Sequence, residues 1–268
     1  MERLLEIREL RVRFGAREAV RGVTLEVRAG EAVGVVGESG SGKSALALSV
    51  MGLLPETAEV TGEILWGGKN LLGAEERELR GMRGRDVAMI FQEPMTALNP
   101  VMRVGEQVAE AIRAHDAGIG RAELRERVVA ALREVAMEEP ERRGREYPHQ
   151  FSGGQRQRIL TAMAIANKPR LLIADEPTTA LDVTVQAQVL ELLAELRRRH
   201  GLALLFISHD LAVVARVAER VVVMRAGEIV EQGAVGEVLQ RPQHAYTRQL
   251  LAASPTMRTD RTRPLATA

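Results

Sequence analysis

Three short stretches of this chain carry residue types that can manage a phosphate. Gly37-Glu38-Ser39-Gly40-Ser41-Gly42-Lys43-Ser44 fits the pattern GxxxxGK[ST] at every fixed position. Its glycines let the backbone curl until successive N–H groups face one anion, Lys43 adds a compact ammonium for β- and γ-oxygens, and the Ser44 hydroxyl suits magnesium. Phe151-Ser152-Gly153-Gly154-Gln155 opens a helix-period run, Gln155 to Ala166, whose first N–H groups and Ser152 hydroxyl offer a second place for an anion. Taken alone, Ser-Gly-Gly also reads as a capped turn. Its place sets it apart: it follows a phosphate loop and precedes an apolar run, Leu171 to Ala174, that ends in Asp175-Glu176. Asp175 at that end is a natural magnesium partner through water, and Glu176 is able to orient or deprotonate an attacking water.

Other residues extend the set. Gln92 closes the apolar run Val87 to Phe91 and can reach both metal and water without adding charge. His209 closes Leu202 to Ser208, where it either holds a phosphate or caps and packs. Phe14, ending an N-terminal alternation, suits a purine face and equally suits a core. With 34 arginines and three lysines, the chain uses Lys43 where a flat guanidinium does not enter a phosphate cradle. Lys69 and Lys168 read as surface, and His115, His149, His200 and His244 as structural or surface.

To bring these residues together, strands must end at one edge. Leu4 to Phe14 and Ala19 to Val27 alternate as two strands joined at Gly15, and Ala32 to Val36 is a short apolar run of the kind buried on both faces of a parallel sheet. A helix to about Leu54 follows the phosphate loop. In doubly wound sheets ligands sit beyond the carboxyl ends of strands, so the ends at Gly37, Gln92, Asp175 and His209 point to one crevice. Between Gln92 and Phe151 only helix-period segments occur, near Val104 to His115 and Arg121 to Met137. The expected fold is α/β: a phosphate-loop core of RecA-like type with a mixed sheet, an N-terminal antiparallel subdomain, and a helical subdomain inserted at about 93–152. Val183 to Arg199 reads as a helix and Arg220 to Glu231 as a strand pair. One domain over 1–254 is expected, with a disordered Thr/Arg/Pro-rich tail at 255–268.

Composition removes several classes. The chain has 268 residues and no cysteine, which excludes disulfides and thiolate metal sites and fits a reducing cytoplasm. A net charge of +1 and 3% aromatic residues argue against nucleic acid as a partner. No apolar run reaches the ~18 to 20 residues needed to span a bilayer, and Met1 to Leu10 does not read as a signal peptide, so a membrane role would need another chain.

In this order the motifs resemble the ATP-binding cassette family, from about Leu4 to Pro255, with Phe151 in the first signature position where Leu is commoner. Phe91-Gln92-Glu93-Pro94-Met95-Thr96-Ala97-Leu98-Asn99-Pro100, Tyr147-Pro148-His149-Gln150-Phe151-Ser152-Gly153-Gly154 and Ala174-Asp175-Glu176-Pro177-Thr178-Thr179-Ala180-Leu181-Asp182 look like the peptide and nickel importer branch, above all its dipeptide and oligopeptide members. His244-Ala245-Tyr246-Thr247 resembles that branch's tail motif, with Ala245 where proline is usual.

The resemblance implies ATP and Mg2+ as ligands, Phe14 on the adenine, and an aqueous magnesium site at Ser44, Gln92 and Asp175. It implies a head-to-tail pair with a second cassette, a sister subunit or another copy, in which Ser152, Gly153, Gly154, Gln155 and Asp182 reach the other subunit's nucleotide. Membrane permease subunits docked on the helical insert, a substrate-binding protein acting indirectly, and a peripheral position on the cytoplasmic face of the membrane follow from the same likeness. A nickel or other small-solute importer and a phosphonate-degrading complex stand as alternatives. A GTPase reading of Asn167-Lys168-Pro169-Arg170 fails, because Arg170 stands where guanine needs an acid.

Overall fold

The computed structural model describes residues 2–91, 97–179 and 181–253. Gln92, the four residues after it in the importer-like segment, Ala180 and the tail from 254 lie outside them. The chain divides into two compact units, Met1–Glu75 with Leu204–Ala268, and Glu76–Ala203. Element numbers below follow the chain.

In the first unit, β1 (Arg3–Phe14), β2 (Arg17–Arg28), β4 (Ala58–Trp66) and β5 (Lys69–Asn70) form an antiparallel sheet in the order β2-β1-β4-β5. The apolar pattern records a fault in the ladder. In β1 the buried residues Leu5 and Ile7 are odd-numbered and Leu10 and Val12 even-numbered, and the register shifts between them, where Glu9 takes φ 47°. An extra residue flips the faces, so a change of parity in the sequence marks a bulge. β2 makes the same change at Gly22, between Val20 and Val23.

The same unit holds β3 (Ala32–Val36), β8 (Ala203–Ser208), β9 (Arg220–Arg225) and β10 (Glu228–Ala234) in the order β10-β9-β3-β8. β3 runs parallel to both neighbours and β10 antiparallel to β9, which makes the sheet mixed. All residues of β3 and β8 are buried, as their unbroken apolar runs require. The register pairs Val36 with Ser208, so Gly37 and His209 leave the sheet side by side. Helix α1 (Lys43–Met51) starts in the phosphate loop and stops at Gly52 (φ 59°), three residues before the expected Leu54, because its last carbonyls are taken by that left-handed cap. Beyond β9 and β10 lie α9 (Val235–Gln240) and α10 (Ala245–Ala253); α8 (Leu211–Val214) precedes them.

In the second unit β6 (Val87–Ile90) pairs parallel with β7 (Leu171–Asp175), Ile90 opposite Ala174. The helices are α2 (Glu76–Met82), α3 (Val104–Arg113), α4 (Arg121–Glu134), the single turn α5 (Pro140–Arg143), α6 (Gly153–Ile165) and α7 (Val183–His200). Val104, Val108 and Ile112 of α3, Leu124, Val128 and Leu132 of α4, and Ile159, Ala162 and Ile165 of α6 share one buried core with Leu192 and Leu196 of α7. Spacings of three and four residues put each set on one helix face.

Candidate functional site

The phosphate loop is built by the close approach of backbone to backbone. A Cβ on Gly42 (φ 103°) would lie 2.3 Å from Ala19 O, and one on Gly37 would lie 2.2 Å from Met224 O. Neither oxygen belongs to a side chain that could move aside, so glycine is required at both positions. Lys43 is 4% exposed, and its ammonium donates to Gly37 O at 2.7 Å and Glu38 O at 2.8 Å. These carbonyls replace water around a buried charge and fix it at the mouth of the loop. Glu38, Ser39 and Gly40 face solvent, and Ser44 is half-buried at the start of α1. No side chain caps α1, whereas Ser152, Asp182 and Asp210 cap α6, α7 and α8. The first-turn N–H groups of α1 thus keep an anion-accepting end, and the loop fits a polyphosphate.

Around this loop, in the same unit, His209 is exposed and leaves β8 level with Gly37. Phe14 ends β1 half-buried, opposite Ala58 and Arg17, so it is no part of the closed core. Sequence reading missed one contact altogether. Tyr246 from α10 takes the Glu38 N–H on its hydroxyl oxygen at 2.9 Å.

The second unit carries the acidic pair and the serine-glycine helix start. Asp175 is the last residue of β7 and is 4% exposed. Glu176 follows at φ 47°, a left-handed backbone that an L-residue adopts at a cost of about 1–3 kcal/mol. Its carboxylate accepts from the Thr179 hydroxyl at 2.9 Å, which holds the side chain in this unusual setting. Ser152 is exposed; its oxygen accepts from Gln155 N at 3.3 Å, and Gln155 Oε1 accepts from Ser152 N at 3.0 Å. The capped-turn reading is therefore realised, yet the hydroxyl keeps its own hydrogen for donation outward.

A Cβ on Gly154 would sit 2.3 Å from Val185 Cγ1, so that glycine lets α6 begin against the first turn of α7. Asp182, which caps α7 through Val185 N at 2.9 Å, is followed by Val183, 79% exposed. Gln92 lies outside the described residues. Among them, no group of three or more His, Asp and Glu is placed to hold a metal ion. Ser44 of the first unit and Asp175 of the second each offer a hard oxygen, the donor type magnesium takes.

The family model for ABC transporters matches residues 20–179, three fifths of the chain, from β2 past Glu176. The chain belongs to the ABC transporter family. This cassette is 54% identical over 258 residues to a peptidoglycan transport ATP-binding protein of Agrobacterium fabrum, covering 94% of the chain and 47% of that protein. It is 48% identical to an oligopeptide transport ATP-binding protein of Bacillus subtilis, covering 95% and 73%. The cassette thus spans about half the length of the first relative and most of the second. Among solved structures it resembles a dimeric ATP-binding cassette in a post-hydrolysis state bound to ADP and phosphate, with TM-score 0.75 and 27% identity over 87% of this chain and 99% of that one.

Proposed function

We propose that this cassette is the ATP-binding and ATP-hydrolysing subunit of a bacterial importer for di- or oligopeptides. The observation that carries the proposal is the buried Lys43, seated on loop carbonyls at the uncapped start of α1, in a chain whose relatives are peptide transport ATP-binding proteins. The loop N–H groups from Ser39 to Ser44 bind the β- and γ-phosphates, with Lys43 neutralising them; Phe14 stacks on the base. Ser44, Gln92 and Asp175 would hold magnesium by way of water, and the ion would supply charge neutralisation on the phosphates. Glu176 orients the attacking water and takes its proton, and Gln92 and His209 hold that water and the γ-phosphate in line.

Ser152, Gly153, Gly154, Gln155 and Asp182 serve the nucleotide of a second cassette. The γ-phosphate then bridges two subunits, and its hydrolysis removes the bridge. The free energy of nucleotide binding thereby sets the closed population, which is what a transporter needs in order to alternate between states.

Among the described residues no helix is long and apolar enough to cross a membrane. In keeping with its transport ATP-binding relatives, the proposed complex takes its passage from permease subunits, with the cassette peripheral on the cytoplasmic face. A cavity of about 620 Å³ between α3, α4 and α5 is the proposed seat for them. Five arginines, Arg103, Arg113, Arg121, Arg125 and Arg145, line it against two glutamates, and one of these, Glu141, is already paired with Arg133. An acidic permease segment fits such a rim. The test is ATP hydrolysis by the membrane complex with its binding protein. Stimulation by a di- or oligopeptide pool is expected; stimulation by nickel and by no peptide would move the assignment to the metal importers.

A further inference from the structure

The tail motif His244-Ala245-Tyr246-Thr247 lies far in sequence from every phosphate-handling residue. In the fold it reaches one of them. Tyr246 is 1% exposed and is among the largest fully buried side chains. Its hydroxyl oxygen accepts the Glu38 N–H at 2.9 Å. The carbonyl of that same peptide unit, Gly37 O, accepts the Lys43 ammonium at 2.7 Å. One peptide plane is thus held at both ends, by the phosphate-binding lysine on one side and by the C-terminal helix on the other.

We propose that Tyr246 is a positioning residue of the phosphate loop, fixing the Gly37–Glu38 peptide so that its carbonyl seats Lys43. The proposal rests on the nucleotide-binding reading above and adds a residue to it. Without the phenol oxygen the plane loses the acceptor at its N–H end, and a rotation would turn Gly37 O away from Lys43. The glycine before this peptide carries no side chain to resist that rotation.

Tyr246 is itself anchored. The Arg225 guanidinium lies over its ring, 4.9 Å from the centroid, and its N–H donates to His244 Nδ1 at 3.1 Å. The N–H groups of Gln243 and His244 donate to the Glu231 carboxylate at 2.7 and 3.0 Å. A continuous strut therefore runs from β10 through this turn and the Tyr246 side chain to the loop, within one unit. Burial pushes the phenol above its ordinary value, so it stays neutral through the physiological range.

Tyr246→Phe in the full 268-residue chain tests the idea with two readouts. Without nucleotide, hydrogen exchange at the Glu38 amide should speed up while the thermal midpoint falls by only a few degrees. ATP should bind about tenfold more weakly, the size expected for losing one buried acceptor. AMP, which lacks the phosphates that the loop holds, should bind as before. Should the Phe variant fold poorly, Glu231→Gln loosens the same strut with ring and hydroxyl in place, and the same pattern at smaller size is expected. Unchanged exchange at Glu38, or equal weakening of ATP and AMP, would overturn the proposal. Failure of the unmodified chain to bind ATP would instead overturn the nucleotide reading, with the exchange result still deciding whether the strut exists.

Discussion

Lys43 meets two carbonyls before any nucleotide arrives, so its charge is oriented in advance and need not be reorganised when phosphate binds. Replacing it with alanine removes a preorganised contact from an otherwise intact loop. Lys43→Ala should cut ATP turnover by about 10²-fold or more and weaken nucleotide binding, with the melting curve nearly unchanged; a steady-state assay at several ATP concentrations checks both. Lys43 was legible in the sequence because every atom of the phosphate loop comes from eight consecutive residues, and local spacing encodes local geometry. Tyr246 was not, since 208 residues separate it from Glu38 and no periodicity links a tail helix to a loop near the other end of the chain. The left-handed turn at Glu176 was equally invisible, because nothing in its residue type marks that conformation.

At the scale of elements, three helix starts differ in one respect. α6 and α7 are capped by their own serine and aspartate, and α1 is left without a side-chain cap where the phosphate belongs. The fully buried strands β3, β7 and β8 were read from their apolar runs. β4 was passed over although Ala58, Val60, Ile64 and Trp66 alternate with Glu59, Thr61 and Glu63; Gly62 interrupts the apolar row and Ile64 is its only buried residue, so the stretch resembles a loop more than a core strand.

The turn after β10 carries a pH prediction. Burial pushes the Glu231 carboxyl up, but the nearby Thr247 hydroxyl and the hydrogen-bonded Gln243 and His244 N–H groups outweigh it and hold the group below its ordinary value. A carboxyl depressed in the folded state adds stability that is complete above the ordinary carboxylate range and disappears as pH falls through the folded-state value below it. Glu231→Gln should therefore lower the thermal midpoint by about 2 °C at neutral pH and show a shallower loss in acid, measured by melts across that range. Equal losses at both pH values would detach the anchor from its charge.

For the whole molecule, a net charge of +1 gives no long-range field, so partners have to be chosen by local surface. The arginine-lined cavity on the helical region is one such surface. Arg121→Glu with Arg125→Glu should abolish co-purification with the membrane subunits while ATP binding to the isolated chain is retained. Retained co-purification would move the docking face elsewhere. The docking face was not legible in the sequence, because it is assembled from α3, α4 and α5, whose lining residues are scattered from Arg103 to Arg145 with no local signature.

One triphosphate held by Lys43 of one cassette and Ser152 of another is the core of the proposed function. Its most direct test is the mass, by light scattering, of Glu176→Gln together with the ATPase subunit it co-purifies with, a second copy included. The account predicts separate subunits without nucleotide, a stable pair in ATP, and loss of that pair when Ser152→Glu is added to both subunits' signature serines while each still binds ATP. A pair that forms equally without nucleotide and survives the serine change, or subunits that stay apart in saturating ATP, would contradict it.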